Sequence, residues 1–185
     1  MIEKILKNAD LKMKKTVEAL SKELAGIRTG RASPALVEHI KVDYYDTVTP
    51  IIQLASISVP DPRTIMIQPW DRNIIQSIEK ALLKSELGLN PNSDGNAIRI
   101  SIPTLTEERR KELIKVVHKR LEESRISIRN IRRETIDELK QSEKNKEISQ
   151  DQDIRATEQL QKLTDSYIDA VNHVGKEKEA EILEV

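Results

Sequence analysis

Three long amphipathic stripes, set at the two ends of the chain around a stretch of different character, restrict the available folds more than any other feature. Ile2, Leu6, Ala9, Met13, Val17, Leu20, Leu24 and Ile27 recur every three or four residues, which predicts one helix over 1–28 with a single apolar face. Thr29-Gly30-Arg31-Ala32-Ser33-Pro34 ends it with a glycine and a proline. The helical period returns after Thr104. Thr106 can cap, and Glu107 and Glu108 stand in the first turn, where the helix dipole favours acids. Val117, Leu121, Ser124, Ile128, Ile131 and Thr135 then follow four-three spacing. Residues 145–150 are polar and read as a turn, and Leu160, Leu163, Tyr167, Ala170 and Val174 carry the third stripe. None of these helices can bury its stripe alone. The simplest solution is a three-helix bundle built from 1–30 and 105–185.

The intervening residues 31–104 alternate on a shorter period, and six of the seven prolines fall between 50 and 103. Val37, Ile40 and Val42 predict one strand, Ile57 and Val59 a second ahead of Pro60-Asp61-Pro62, and Thr64–Gln68 a third. Asp71 caps a helix running to about Glu86 and stopped near Gly88. Asn90–Asn96 reads as a loop, and Ile98, Ile100 and Ile102 alternate as a last strand that Pro103 ends. The fold class is therefore α+β: a three-helix bundle with a small β/α/β domain inserted at 31–104. The insertion leaves two adjacent connections, at Gly30 and at Pro103-Thr104, which together make a candidate hinge.

Composition narrows the chemistry. There is no cysteine, so disulfides, thiolate metal sites and a cysteine nucleophile are excluded, and a reducing, cytoplasmic setting fits. Met1–Lys7 mixes charge with apolar residues and has no apolar core segment, so it does not read as a signal peptide. No apolar run approaches the roughly 18 residues of a membrane span, and no membrane association is expected. His39, His118 and His173 fall in different elements with no HExxH-like spacing, and neither GxxxxGK[ST] nor GxSxG occurs. Asn90, Asn92, Asp94 and Gly95 imitate the start of a calcium loop, but Ser101 stands where the bidentate Glu belongs. Gly95 is better explained by a turn that needs positive φ. The expectation is a chain with no catalytic residues, no metal and no cofactor.

Net charge is zero, but it is unevenly spread. Counting Lys and Arg against Asp and Glu gives +3 over 1–30, −1 over 31–104, +3 over 105–145 and −5 over 146–185. On a helical wheel with Ile128 at zero, Arg132 falls near 40°, Arg125 near 60°, Arg129 near 100° and Arg133 near 140°, from about 100° per residue. Four guanidinium groups thus share one flank beside the core seam. Their planar forks suit phosphate oxygens, and Arg109 and Arg110 extend the basic character toward the helix start. The same arginines could instead bridge to the acidic third helix, and composition alone leaves both readings open. Arg28 and Arg31 flank Gly30 at the end of the first helix, where they either complement the dipole or offer a basic tip to phosphate. Only one Trp and three Tyr are present, too few for base stacking to be the mode. Trp70 and the Tyr44-Tyr45 pair are expected to pack inside the small domain.

At these residues the chain resembles the bacterial ribosome recycling factor family. Gly26-Ile27-Arg28-Thr29-Gly30-Arg31-Ala32-Ser33-Pro34 carries the strongest likeness. Leu87–Ser93, Leu105–Lys111, Ile128-Arg129-Asn130-Ile131-Arg132-Arg133, Lys146–Ser149 and Gln161–Asp165 follow in order. The resemblance implies an L-shaped molecule with a flexible two-stranded hinge; nothing in the sequence requires an oligomer, and a monomer is expected. It implies binding to the 70S post-termination ribosome and, with elongation factor G and the GTP that partner binds, splitting into subunits. Carried onto this sequence, Arg28, Arg31, Arg110, Arg129 and Arg132 would contact large-subunit ribosomal RNA, while the small domain faces elongation factor G. Arg125 and Arg133 join that set from the wheel alone. A helical adaptor that binds only protein partners is the alternative, separated by whether binding needs RNA and responds to salt.

Overall fold

The computed structural model describes residues 1–184. In chain order these form α1 (Ile2–Ala25), β1 (Lys41–Tyr44), β2 (Thr47–Pro50), β3 (Ala55–Asp61), β4 (Thr64–Pro69), α2 (Ile75–Lys84), β5 (Pro91–Ser93), β6 (Ile98–Ser101), α3 (Glu107–Lys144) and α4 (Gln150–Leu183). The chain divides into two compact units, one of Met1–Arg28 with Glu107–Glu184 and one of Thr29–Thr106. The class is α+β.

In the helical unit α1, α3 and α4 pack pairwise. Ile5, Ala9, Met13, Leu20 and Leu24 of α1 are buried, as are Leu113, Val117, Leu121, Ile128 and Leu139 of α3. Ala9, Met13, Leu20 and Leu24, and Val117, Leu121, Ile128 and Thr135, lie where their spacing predicted; Ile2, Leu6, Val17, Ile27, Ser124 and Ile131 of the predicted stripes are only half-buried, and Ile5, Leu113 and Leu139 join the core from outside them. The buried seam of α4 runs through Ala156, Leu160, Thr164, Val171, Gly175, Lys178 and Ile182, while Leu163, Tyr167, Ala170 and Val174 are only half-buried. The third stripe is therefore rotated from the one read in the sequence. The reason is chemical: Thr164 Oγ1 donates to the Leu160 carbonyl (2.8 Å), so its hydroxyl is satisfied within the helix and its methyl can face the core. A capping box starts α4, with Ser149 Oγ accepting from Gln152 N and the Gln152 side chain accepting from Ser149 N.

α3 and α4 approach closely at Gly175. A Cβ built there would fall into the Leu121 side chain, 2.9 Å from Cδ2 and 3.2 Å from Cγ. Tyr167 ties α4 to α1, its hydroxyl donating to Asp10 Oδ1 at 2.5 Å. Burial, that hydrogen bond and the charges of Asp10 and Glu18 push its phenol up to about 12 from 10.0. A phenol with a raised native value stabilises fully below pH 10, and that contribution is lost as pH climbs through about 12. Tyr167→Phe should lower stability at neutral pH by about 1 kcal/mol. It should also remove this part of the alkaline loss, so urea-denaturation curves of the two proteins converge between pH 10 and 12. Parallel pH profiles would contradict the assignment.

The second unit holds two antiparallel sheets, β1-β2 and β3-β4-β6-β5. Ile65 pairs with Ile100 and Ile67 with Ile98 across β4 and β6. These four join Ile75, Ile78 and Leu82 of α2 in one buried cluster with Val37, Val42 and Ile51. Four expectations need correction. Val37 and Ile40 precede the strand: Pro34 opens a 3-10 turn (Pro34–Leu36), and β1 starts at Lys41. Asp71 caps a 3-10 turn through Asn73 N (3.0 Å), and α2 follows it and stops at Lys84. Pro91–Ser93 is a short edge strand, held by pairing with β6. Trp70 is 70% exposed and Tyr45 73%, so neither packs inside. Aliphatic side chains fill this core, and Pro69 rather than Trp70 is buried.

Candidate nucleic-acid interface

The α3 backbone fixes the arginine spacing. Residues 125 to 133 cover about 12 Å of helix at 1.5 Å per residue, and the side chains have different surroundings. Arg125 is committed within the bundle: Nε and Nη2 donate to Asn172 Oδ1 of α4 at 3.0 and 2.8 Å, and Nη1 donates to Glu122 Oε2 at 3.0 Å. Its side chain is 25% exposed. Arg129 is half-exposed and makes one longer contact, Nη1 to Glu122 Oε1 at 3.4 Å. Glu122 thus serves both arginines, standing three residues before the one and seven before the other. Arg133 is exposed.

Arg132 and Arg110 form a third class. Both are partly exposed, yet the Nε of each is closed off from solvent with no hydrogen-bond acceptor. A buried N–H without a partner costs about 1–3 kcal/mol. The stems lie along the bundle surface while part of each residue stays in water, the snorkelling habit of long cationic side chains. Such positions are poor choices for stability, and unpaired buried donors call for an explanation.

The other basic cluster sits where α1 ends. Gly26 closes the helix in a right-handed conformation, its N–H donating to the Lys22 carbonyl at 3.2 Å, and Ile27 N donates to Leu24 O at 3.1 Å. Arg28 follows, exposed, as the last residue of this segment in the helical unit. Gly30 has φ +76°, and Arg31 lies beyond it in the second unit. A Cβ on Gly30 would stand 3.3 Å from Leu105 Cγ and 3.4 Å from Pro103 O. The backbone conformation calls for glycine, and a Cβ would in addition press against Leu105. Thr104 is exposed between Pro103 and Leu105.

Sequence reading missed three residues that shape these clusters. Asn172 and Glu122 hold Arg125, and a wheel cannot show partners on another helix. Lys178 is 8% exposed in its side chain and donates from Nζ to the Ile27 carbonyl at 3.0 Å. The available signal was positional: Lys178 falls seven residues after Val171 and four before Ile182, on the buried seam. Among the described residues no group of three or more His, Asp and Glu side chains could hold a metal ion. The calcium-like stretch instead turns on itself, with Asp94 Oδ1 accepting from Asn96 N and Ala97 N at 3.0 and 2.9 Å. No helix among the described residues is long and apolar enough to cross a membrane.

Known proteins match this chain end to end. The family model described as ribosome recycling factor matches residues 20–183. The ribosome-recycling factor of Dehalococcoides mccartyi (strain ATCC BAA-2266 / KCTC 15142 / 195) is 58% identical, and that of Halothermothrix orenii 57%, each over 100% of both chains. A solution structure of the ribosome recycling factor superposes with a TM-score of 0.71 at 51% identity, covering 100% of this chain and 98% of the other. A second structure describes the T. thermophilus ribosome recycling factor and the E. coli elongation factor G bound to the E. coli post-termination complex. It aligns with a TM-score of 0.62 at 46% identity over 99% of each chain. With the sequence likeness and the fold in agreement over the full length, the chain belongs to the ribosome recycling factor family.

Proposed function

We propose that this protein binds the post-termination ribosome and, together with elongation factor G and GTP, separates it into subunits for reuse. The observation that carries the proposal is the full-length likeness to a factor described on a post-termination complex beside elongation factor G. The chain performs no catalysis itself; nucleotide hydrolysis belongs to elongation factor G. Arg129 and Arg132, with Arg110, Arg28 and Arg31, bind large-subunit ribosomal RNA through its phosphates. Arg133 extends that face, and Arg125 supports it from within the bundle. Gly30, Pro103 and Thr104 form the hinge, and elongation factor G moves the small unit against the anchored helices. The protein works as a cytoplasmic monomer.

The test is co-sedimentation with ribosomes across a salt series. Phosphate contacts release counterions, so the logarithm of the affinity should fall linearly with the logarithm of salt, with a slope magnitude of about 0.7–0.9 per contact. Five arginines at phosphates give a slope magnitude of roughly 3–5. Binding that ignores salt would favour the protein-only adaptor instead.

A further inference from the structure

We propose that Lys178 is a positioning residue for the basic tip. Its ammonium reaches across from α4 to the Ile27 carbonyl, two residues beyond the end of α1, and so presents Arg28 in a fixed place. The inference rests on the RNA-binding reading above and names a residue that reading did not contain.

A lysine on the buried seam of a helix bundle needs a reason. Removing an ammonium from water is expensive unless it is paired and hydrogen-bonded, and lysine almost never lies fully buried otherwise. Lys178 is 7% exposed, on a seam whose neighbours Val171 and Ile182 are fully buried. Its Nζ has two partners. One is Glu181 Oε2 on the next turn, at 3.3 Å. The other is the main-chain oxygen of Ile27 on another segment, at 3.0 Å. Glu181 could pair with a lysine anywhere on the exposed face, so the ion pair does not explain the burial. The bond to Ile27 is the contact that carries the ammonium across to another segment.

The end of a helix leaves its last carbonyls without partners and carries the negative end of its dipole. In α1 the early ones are met locally, with Lys22 O and Leu24 O accepting from Gly26 N and Ile27 N. The next stretch has lost the helix: Gly26 is exposed, and residues 28 and 29 have no regular structure. Ile27 O is where Lys178 intervenes, one residue before Arg28. The peptide that carries this carbonyl also carries the Arg28 amide, so fixing it fixes the start of the arginine's backbone. A rigid base reduces the conformational entropy that an exposed arginine loses when it meets a phosphate.

The experiment uses the full-length protein and large ribosomal subunits. In Lys178→Met the methionine fills the site without the charge. Amide hydrogen exchange at Ile27, whose N–H is bonded to the Leu24 carbonyl, should speed up by roughly tenfold or more, while amides of Leu113–Leu121 stay as they were. Subunit affinity should fall roughly three- to tenfold, about as far as in Arg28→Ala. Lys178→Met and Arg28→Ala combined should lose little more than either alone, because they remove one contact by two routes. Lys178→Arg should restore most of the affinity. If Lys178→Met does not fold, Lys178→Gln, which keeps a donor in the site, is read in the same way. Unchanged exchange at the tip, or fully additive losses, would overturn the inference. Arg28→Ala with undiminished affinity would sink it together with the tip's role in RNA binding. That failure is recognisable because exchange at the tip would still rise in Lys178→Met.

Discussion

Gly175→Val is expected to lower the melting temperature of the helical unit by about 12 °C or more, the shift that roughly 3 kcal/mol gives in a domain near 100 residues. Overpacking a well-filled core costs about 1–3 kcal/mol, and here the obstacle is the branched end of Leu121, whose Cδ1 a Cβ would overlap and whose Cδ2 would stand 2.9 Å from it. Gly175→Ala separates packing from backbone effects by its sign. At a loosely packed helical site alanine would stabilise by about 1 kcal/mol. At Gly175 it should destabilise, and Leu121→Ala should give back part of that loss by making room. Stability measured for the two single variants and the double variant forms a closed cycle. Strict additivity, or a more stable Gly175→Ala, would show that α3 and α4 are not held at this distance by the absence of a side chain.

The second large effect is on binding. Arg132→Ala should weaken ribosome affinity by roughly tenfold or more, since a hydrogen-bonded charge contact is worth about 1.5–3 kcal/mol, and should reduce the salt slope by about one contact. Its melting temperature should hold or rise, because the substitution removes a buried, unpaired Nε. Arg125→Ala should behave in the opposite way. It strips Asn172 of its donor and leaves Glu122 only the longer contact to Arg129, so stability falls by about 1–2 kcal/mol while the salt slope barely moves. Reversed outcomes for the pair would exchange the roles given to these two arginines.

That contrast shows where sequence reading stops. Wheel angles place Arg125 and Arg132 within about 20° of each other on α3, and nothing along one helix distinguishes them. The distinction comes from Asn172, 47 residues away in sequence. The stripes of α1 and α3 were legible because aliphatic residues carry them. The seam of α4 was not, since Thr164, Gly175 and Lys178 are buried for reasons of local hydrogen bonding, space and a carbonyl on another segment. In the second unit, Ile98 and Ile100 alternate cleanly and form β6. β5 has the sequence Pro-Asn-Ser, which carries no strand signal and becomes a strand only through its partner. Trp70 misled for a related reason. Large apolar residues usually lie inside, but isoleucine and leucine fill this core and leave the indole 70% exposed.

Light scattering of post-termination ribosomes, mixed with this protein, elongation factor G and GTP, tests the proposed role most directly. The predicted result is a fall in scattering that requires all three components, as whole ribosomes become separate subunits. Scattering that stays level while the protein co-sediments with the ribosomes would contradict subunit splitting.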